Sequence, residues 1–269
     1  MSHELPDIKN VKGVQFSISS PEDIRGQSVV NVTKYETYDK DIPVVKGLFD
    51  TRMGVTDRDI ICATCNQKNT CCPGHFGHIE LAKPVFNYHF IQTTLKLLKC
   101  VCFKCSKLLI DKESEICKLI SKKSSGSRWT HVYNLCSKIK TCGQETVDGC
   151  GAKQPSNYKI EGVVGINLHW KEESVPEIKE LMDVDIIKQI LERISNDDSY
   201  FMGFDPAWCR PEWLICSVLP VPPPSVRPSV KQDNSQRMDD DLTHKLSDIL
   251  KANSTLQKKI NTNAKNEII

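Results

Sequence analysis

Apolar Val14, Phe16 and Ile18 alternate with polar neighbours, a period of two that predicts a half-buried strand over residues 11–20. Ser20-Pro21-Glu22-Asp23 follows as a cap and first turn, so a short helix is expected to open there. Residues 28–47 carry β-branched and aromatic side chains interrupted by Asp39, Asp41, Pro43 and Gly47, which predicts pieces of strand and a loop. From Pro84 to Lys99 the period changes. Phe86, Phe90, Ile91, Leu95 and Leu98 recur at helical spacing behind a proline suited to a first helical position. Residues 162–170 alternate again as a strand, and Ile187, Ile190, Leu191 and Ile194 mark one face of an amphipathic helix that Asp183 or Asp185 can cap.

Pro211 to Leu219 reads as a buried strand or a short helix. Prolines 220, 222, 223, 224 and 228 then remove backbone donors and fix φ, so a stiff extended connector is expected. Residues 229–237 are polar and predict a loop. Asp239, Asp240 and Asp241 stand before Leu242, Leu246, Ile249 and Leu250, as acidic groups at the positive end of a helix do; that reading is simpler than a magnesium site, and the helix is expected to reach about residue 252 or beyond.

With 269 residues, 39% hydrophobic and 26% charged, the chain has the size and apolar content to bury a core. It has no signal-peptide-like start and no run of apolar residues long enough for a membrane helix, so a soluble intracellular protein with no membrane partner is expected. A net charge of +2 excludes a general polyanion-binding tail. Charge is uneven, however. Between Ser106 and Thr141, Lys107, Lys112, Lys118, Lys122, Lys123, Arg128, Lys138 and Lys140 face only Asp111, Glu113 and Glu115. That segment reads either as a solvated loop between ligand groups or as a face for phosphates.

Cysteine changes the picture most. Thirteen cysteines, an odd number, occur partly in Cys-x-x-Cys pairs, the spacing that lets two thiolates meet one ion from a tight turn. Cys62, Cys65, Cys72 and His75 make a complete four-ligand set within fourteen residues, and such a closed set implies a structural ion. Cys71 is a bystander, because Cys72 alone has the two-residue spacing to His75. The second set takes Cys102 and Cys105 with two of Cys136, Cys142 and Cys150; glycines after Cys142 and Cys150 permit tight turns, which favours that pair over Cys136. Cys100, Cys117, Cys209 and Cys216 have apolar surroundings and read as buried thiols, and His78, His89 and His131 lack a second ligand one turn away. Zinc suits both sets better than iron–sulfur, given the histidine in the first and the long arm in the second. No phosphate-cradling loop, nucleophile elbow or His-Glu-x-x-His motif is present, so no catalytic residue is assigned.

Several stretches, in order, resemble the largest subunit of multisubunit DNA-dependent RNA polymerase, especially the RNA polymerase II type. They are Val14-Gln-Phe-Ser-Ile-Ser-Ser-Pro-Glu22, Cys62-Ala-Thr-Cys65, Cys72 through Phe86, Cys102-Phe-Lys-Cys105, Arg210-Pro-Glu-Trp213, Leu219 through Ser229, and Ser235-Gln-Arg with Asp240 through Asn253. The resemblance implies an α+β fold: an irregular, zinc-stabilised polymerase clamp core with short strands and several amphipathic helices. It implies one clamp unit over residues 1–269, with a zipper-like element at 28–47, a two-zinc region at 62–150, a proline connector and lid-like loop at 220–241, and the start of a helical region at 242–269.

By the same resemblance, two structural Zn2+ ions fall on Cys62, Cys65, Cys72 and His75 and on Cys102, Cys105, Cys142 and Cys150. The segment would help hold template DNA and the RNA–DNA hybrid, with Arg227, Gln236 and Arg237 nearest to nucleic acid. Partners would be the remainder of the largest subunit, the second-largest subunit and smaller ones. The family's catalytic Mg2+ sits on an Asn-Ala-Asp-Phe-Asp-Gly-Asp loop that this chain lacks, so a nucleotidyltransferase activity is expected only in the complete polymerase, and a fragment, split or truncated product is expected. The location would be the nucleus, or a virus factory or virion if the source is a large DNA virus, as Arg52-Met-Gly54 hints. The competing reading is a free-standing zinc adaptor of the ubiquitin-ligase or transcription-factor kind.

Overall fold

The computed structural model describes residues 12–162, 165–172, 175–231 and 237–262. Ser20 Oγ accepts from the Asp23 amide at 2.9 Å while the Asp23 carboxylate accepts from the Ser20 amide at 3.1 Å. This reciprocal capping box opens helix α1 (Pro21–Gln27) where the sequence predicts it. The strand expected just before is absent. Val14 and Phe16 are 79% and 92% exposed, because no strand runs beside them among the described residues; only the Ile18 amide is tied down, donating to Trp208 O at 3.2 Å.

Strands β1 (Tyr38–Asp39) and β2 (Ile42–Pro43) form a small hairpin within the expected strand-and-loop region. Strand β3 (Gly77–Phe86) then overrides the helix expected from Pro84. Its last two residues pair with Cys216 and Ile215 of a later strand, across an irregularity between Glu80 and Val85 that absorbs Pro84. The helix, α2, spans only Ile91–Cys100. The basic segment, for which a solvated loop is one of two readings, forms α3 (Glu115–Ser121) and α4 (Ser125–Cys136), which bury Cys117, Ile120, Val132 and Cys136. A three-stranded antiparallel sheet follows: β4 (Asn157–Glu161), β5 (Gly165–Glu172) and β6 (Val175–Asp183).

Helix α5 (Val184–Glu192) is the predicted amphipathic helix, opened by Asp183, whose carboxylate accepts from the Val184 amide at 2.7 Å. Helix α6 (Asn196–Met202) and a 3-10 turn at Pro211–Leu214 lead into β7 (Ile215–Val221), so both readings of the 211–219 segment are realised in succession. Strand β7 pairs with β3. The pair β8 (Val230–Lys231) and β9 (Arg237–Met238) precedes α7 (Asp241–Asn261), which Asp240 caps and which runs past residue 252.

The result is a mixed α/β fold with small sheets and two apolar cores. The larger gathers α2, α4, α5 and the sheet of β4 to β6 around Leu97, Ile166, Leu168, Ile187 and Ile190. The smaller joins Val30, Val32, Leu48, Phe49, Met53, Ile79 and Val221 to Leu246 and Leu250 of α7. No described helix is long and apolar enough to cross a membrane.

Candidate metal centres

Two Cys-x-x-Cys turns have the same backbone design. In the first, the Cys62 amide donates to Gln67 O at 3.0 Å and the Asn66 amide to Cys62 O at 2.9 Å, with Asn66 at φ +56°. In the second, the Cys102 amide donates to Lys107 O at 2.9 Å and the Ser106 amide to Cys102 O at 2.8 Å, with Ser106 at φ +62°. Each turn leaves its two sulfurs on one side, facing two further ligands.

Those partners arrive by different routes. His75 comes from the turn after Cys72, where Gly74 takes φ +82° and a Cβ would strike Pro223 and Ser225 at 2.7–2.8 Å. The first cluster therefore presses against the proline connector. In the second, Cys142 and Cys150 flank a loop in which Gly143 and Gly149 touch, and a Cβ on Gly149 would lie 2.2 Å from the Gly143 backbone. Only glycines allow that approach.

The donor atoms of Cys62, Cys65, Cys72 and His75 all lie within 4.8 Å of one another, as do those of Cys102, Cys105, Cys142 and Cys150. The distances are 3.7 Å for Cys72 Sγ to His75 Nε2, 3.6 Å for Cys102 Sγ to Cys150 Sγ and 3.7 Å for Cys105 Sγ to Cys142 Sγ. A tetrahedron with zinc–sulfur bonds of about 2.3 Å has edges of about 3.8 Å, whereas a disulfide needs about 2.05 Å. The cysteines are free thiols, and each set fits one tetrahedral ion with no corner left for water. Charge argues likewise. Burial pushes the Cys72 thiol up to about 11 and Cys142 to about 12, while hydrogen bonding from the Ala152 amide brings Cys150 down to about 7. Three thiolates in the first set, or four in the second, cannot ionise together in such a space without a cation among them.

Cys136, the alternative ligand, is fully buried beside Cys100, whose hydrogen bond, with burial, holds its thiol well above the usual range. Cys71 is exposed and outside the first set. His78 bonds Ser28 Oγ at 2.7 Å, and His131 bonds Ser127 O at 2.7 Å; neither joins a ligand cluster, and nor does His89.

Comparison with known sequences gives this arrangement a lineage. Residues 8–269 match the family profile described as RNA polymerase Rpb1, domain 1. The chain belongs to that family. It is 43% identical over 265 residues to the DNA-directed RNA polymerase II subunit RPB1 of Euplotoides octocarinatus, an alignment covering 95% of this chain and 55% of that relative. The chain thus spans about half the length of the curated relative it matches.

Within this Rpb1 domain, the arginines singled out for nucleic acid face inward. Arg227 is fully buried: its guanidinium donates to Pro222 O at 3.0 Å, to Thr243 Oγ1 at 3.2 Å and to Leu48 O, and it lies 5.1 Å from the Phe49 ring centroid. Burial lowers its pKa to about 10, so it stays charged at neutral pH. Arg237 grips Asp57 at 2.9 Å, stands 3.6 Å from Asp41 and stacks 3.9 Å over Tyr38. Gln236 lies outside the described residues.

The basic segment is partly neutralised. Lys107 meets Asp148 and Lys112 meets Asp198, each at 2.7 Å, Lys118 meets Glu113 at 3.5 Å, and Arg128 is buried 5.0 Å from the Tyr200 ring. Lys122, Lys123, Lys138 and Lys140 remain exposed. Sequence reasoning missed two residues. Gln154 Nε2 donates to Cys102 Sγ at 3.3 Å, with no local motif to announce it. Arg210 bonds the carbonyls of Glu192 and Ile194 at the end of α5, at 3.4 and 3.3 Å, which gives the Arg210-Pro-Glu-Trp213 stretch a structural reason.

Proposed function

We propose that this chain is the N-terminal clamp part of the largest subunit of a DNA-directed RNA polymerase of the RNA polymerase II type. Two structural zinc ions, on Cys62, Cys65, Cys72 and His75 and on Cys102, Cys105, Cys142 and Cys150, fix the shape of its loops. The family match across residues 8–269 carries the reading, and the assembly of both closed ligand sets within that span supports its structural side. Zinc of this kind contributes folding energy and leaves no open position for chemistry.

In this reading residues 28–47 are the zipper-like element, 62–150 the two-zinc region, 220–241 the connector and lid-like loop, and 242–269 the start of the helical region. The unit helps hold template DNA and the RNA–DNA hybrid through phosphates without reading bases; Lys122, Lys138 and Lys140 are exposed cations of the basic segment suited to this, while Lys123 lies 2.9 Å from His131 Nε2. Arg227 and Arg237 serve instead as internal ties that set the path of the connector. Nucleotidyl transfer, with its Mg2+, belongs to the assembled polymerase, and the partners are the remainder of the largest subunit, the second-largest subunit and the smaller ones. The working location is the nucleus in a cell.

Affinity purification of the tagged chain from its native source tests this. Co-recovery of a polypeptide bearing the aspartate-rich loop, with RNA synthesis in the eluate, is the expected result. A chain that brings down a ubiquitin-conjugating protein and no polymerase subunit would overturn it in favour of the adaptor reading.

A further inference from the structure

Gln154 follows the bridge that pairs Thr141 with Lys153, and its amide donates to Lys140 O at 2.7 Å, so its position is set by the same short ladder that carries Cys142. Its side chain is only 8% exposed and reaches both halves of the second cluster at once. Nε2 donates to Cys102 Sγ at 3.3 Å and to Ala152 O at 2.9 Å, two residues beyond Cys150, while Oε1 accepts from the Phe103 amide at 3.4 Å inside the Cys102 to Cys105 turn. Cys102 is buried, whereas Cys150 is exposed.

We propose that Gln154 is a positioning residue for the second metal centre: its N–H···S bond orients Cys102 and seals the buried side of the cluster, so that metal leaves and enters by the Cys150 side. This rests on reading the cluster as a zinc centre. An N–H bond to a metal-bound thiolate withdraws charge from sulfur and fixes its direction, and outer-shell partners of this kind typically govern metal retention by about 10- to 100-fold. Leucine at 154 keeps the bulk and loses both polar arms. Glutamate keeps the shape and replaces the donor with an acceptor.

The test uses the full chain, as wild type, Gln154→Leu and Gln154→Glu. Zinc transfer to a chromogenic chelator is followed in time, and the near-ultraviolet sulfur-to-metal absorption is recorded after loading with Co2+. Wild type should release two zinc ions in two phases. Both variants should speed one phase by about 10- to 100-fold and shift the cobalt absorption to lower energy, since the thiolate becomes more electron-rich, while the phase of the first centre stays unchanged and reports an intact fold. If Gln154→Leu unfolds, both phases accelerate and the shape-preserving Gln154→Glu decides. Two unchanged phases with an unmoved cobalt band in a wild-type-like background would overturn the role of Gln154 alone. A wild-type chain holding a single metal ion that Cys62→Ser removes would overturn the zinc reading of this cluster and the proposal together.

Discussion

The two cores solve the same stability problem with different means. The larger is a continuous apolar interior from Leu97 to Ile215 into which Cys102 and Cys142 are set as ordinary buried residues. The smaller, from Val30 to Leu250, is thin, and what holds it is polar: the first ligand cluster wedged against Pro223, and the Arg227 guanidinium filling its centre. Where apolar area is plentiful, an ion adds rigidity to a fold already favoured. Where it is scarce, an ion on the four ligands of the proposed first centre would contribute to holding the fold, beside the Arg227 hydrogen bonds.

Metal removal should bring out this contrast most strongly. After exhaustive chelation, hydrogen exchange is expected to open the amides of Cys62, Asn66, Cys72 and His75 completely, while Ile187, Ile190 and Leu191 of α5 stay protected. Uniform loss of protection across both cores would refute the contrast.

Arg227→Met comes next. It removes donors from Leu48 O, Pro222 O and Thr243 in a dry site, so urea unfolding should show a loss of about 3 kcal/mol confined to the smaller core. A neutral result would mean that water takes over these acceptors.

How much of this was readable beforehand follows the same division. The first cluster lies within fourteen residues, and its spacing alone specifies all four ligands. The second draws Cys142 and Cys150 from beyond two helices, α3 and α4, whose apolar positions were hidden among lysines, so only turn glycines and family resemblance chose them over Cys136. The helix expected from Pro84 failed because pairing of Val85 and Phe86 with Cys216 and Ile215 is non-local and outweighs local periodicity. The strand expected at Val14 to Ile18 failed for the converse reason, since a strand pattern without a neighbour has nothing to bond. Family resemblance placed Arg227 near nucleic acid, and nothing in the local sequence announced that its side chain is buried.

Smaller effects sharpen the comparison. Asp57→Asn weakens the grip on Arg237, a partly buried ion pair, and should cost about 1 kcal/mol, felt in the hairpin of β1 and β2 and read from its exchange rates. The Arg25 guanidinium, hydrogen-bonded to Glu80 at 2.7 Å, holds that carboxyl below the usual range. A depressed folded pKa means stability that is present above the unfolded value near 4.3 and lost as pH falls through the folded value. Both groups are substantially exposed, so Glu80→Gln should flatten the acid limb of a pH–stability curve by less than ~1 kcal/mol. A steeper limb in the variant would contradict the assigned sign.

The most direct test of the central claim, that two closed ion centres shape this Rpb1 domain, is zinc-edge X-ray absorption on the purified chain with metal counted in the same sample. The account predicts two zinc ions per chain and an average shell of about 3.5 sulfurs and 0.5 imidazole nitrogens, sulfur at about 2.3 Å. One zinc per chain, an oxygen-rich shell, or iron in its place would contradict it.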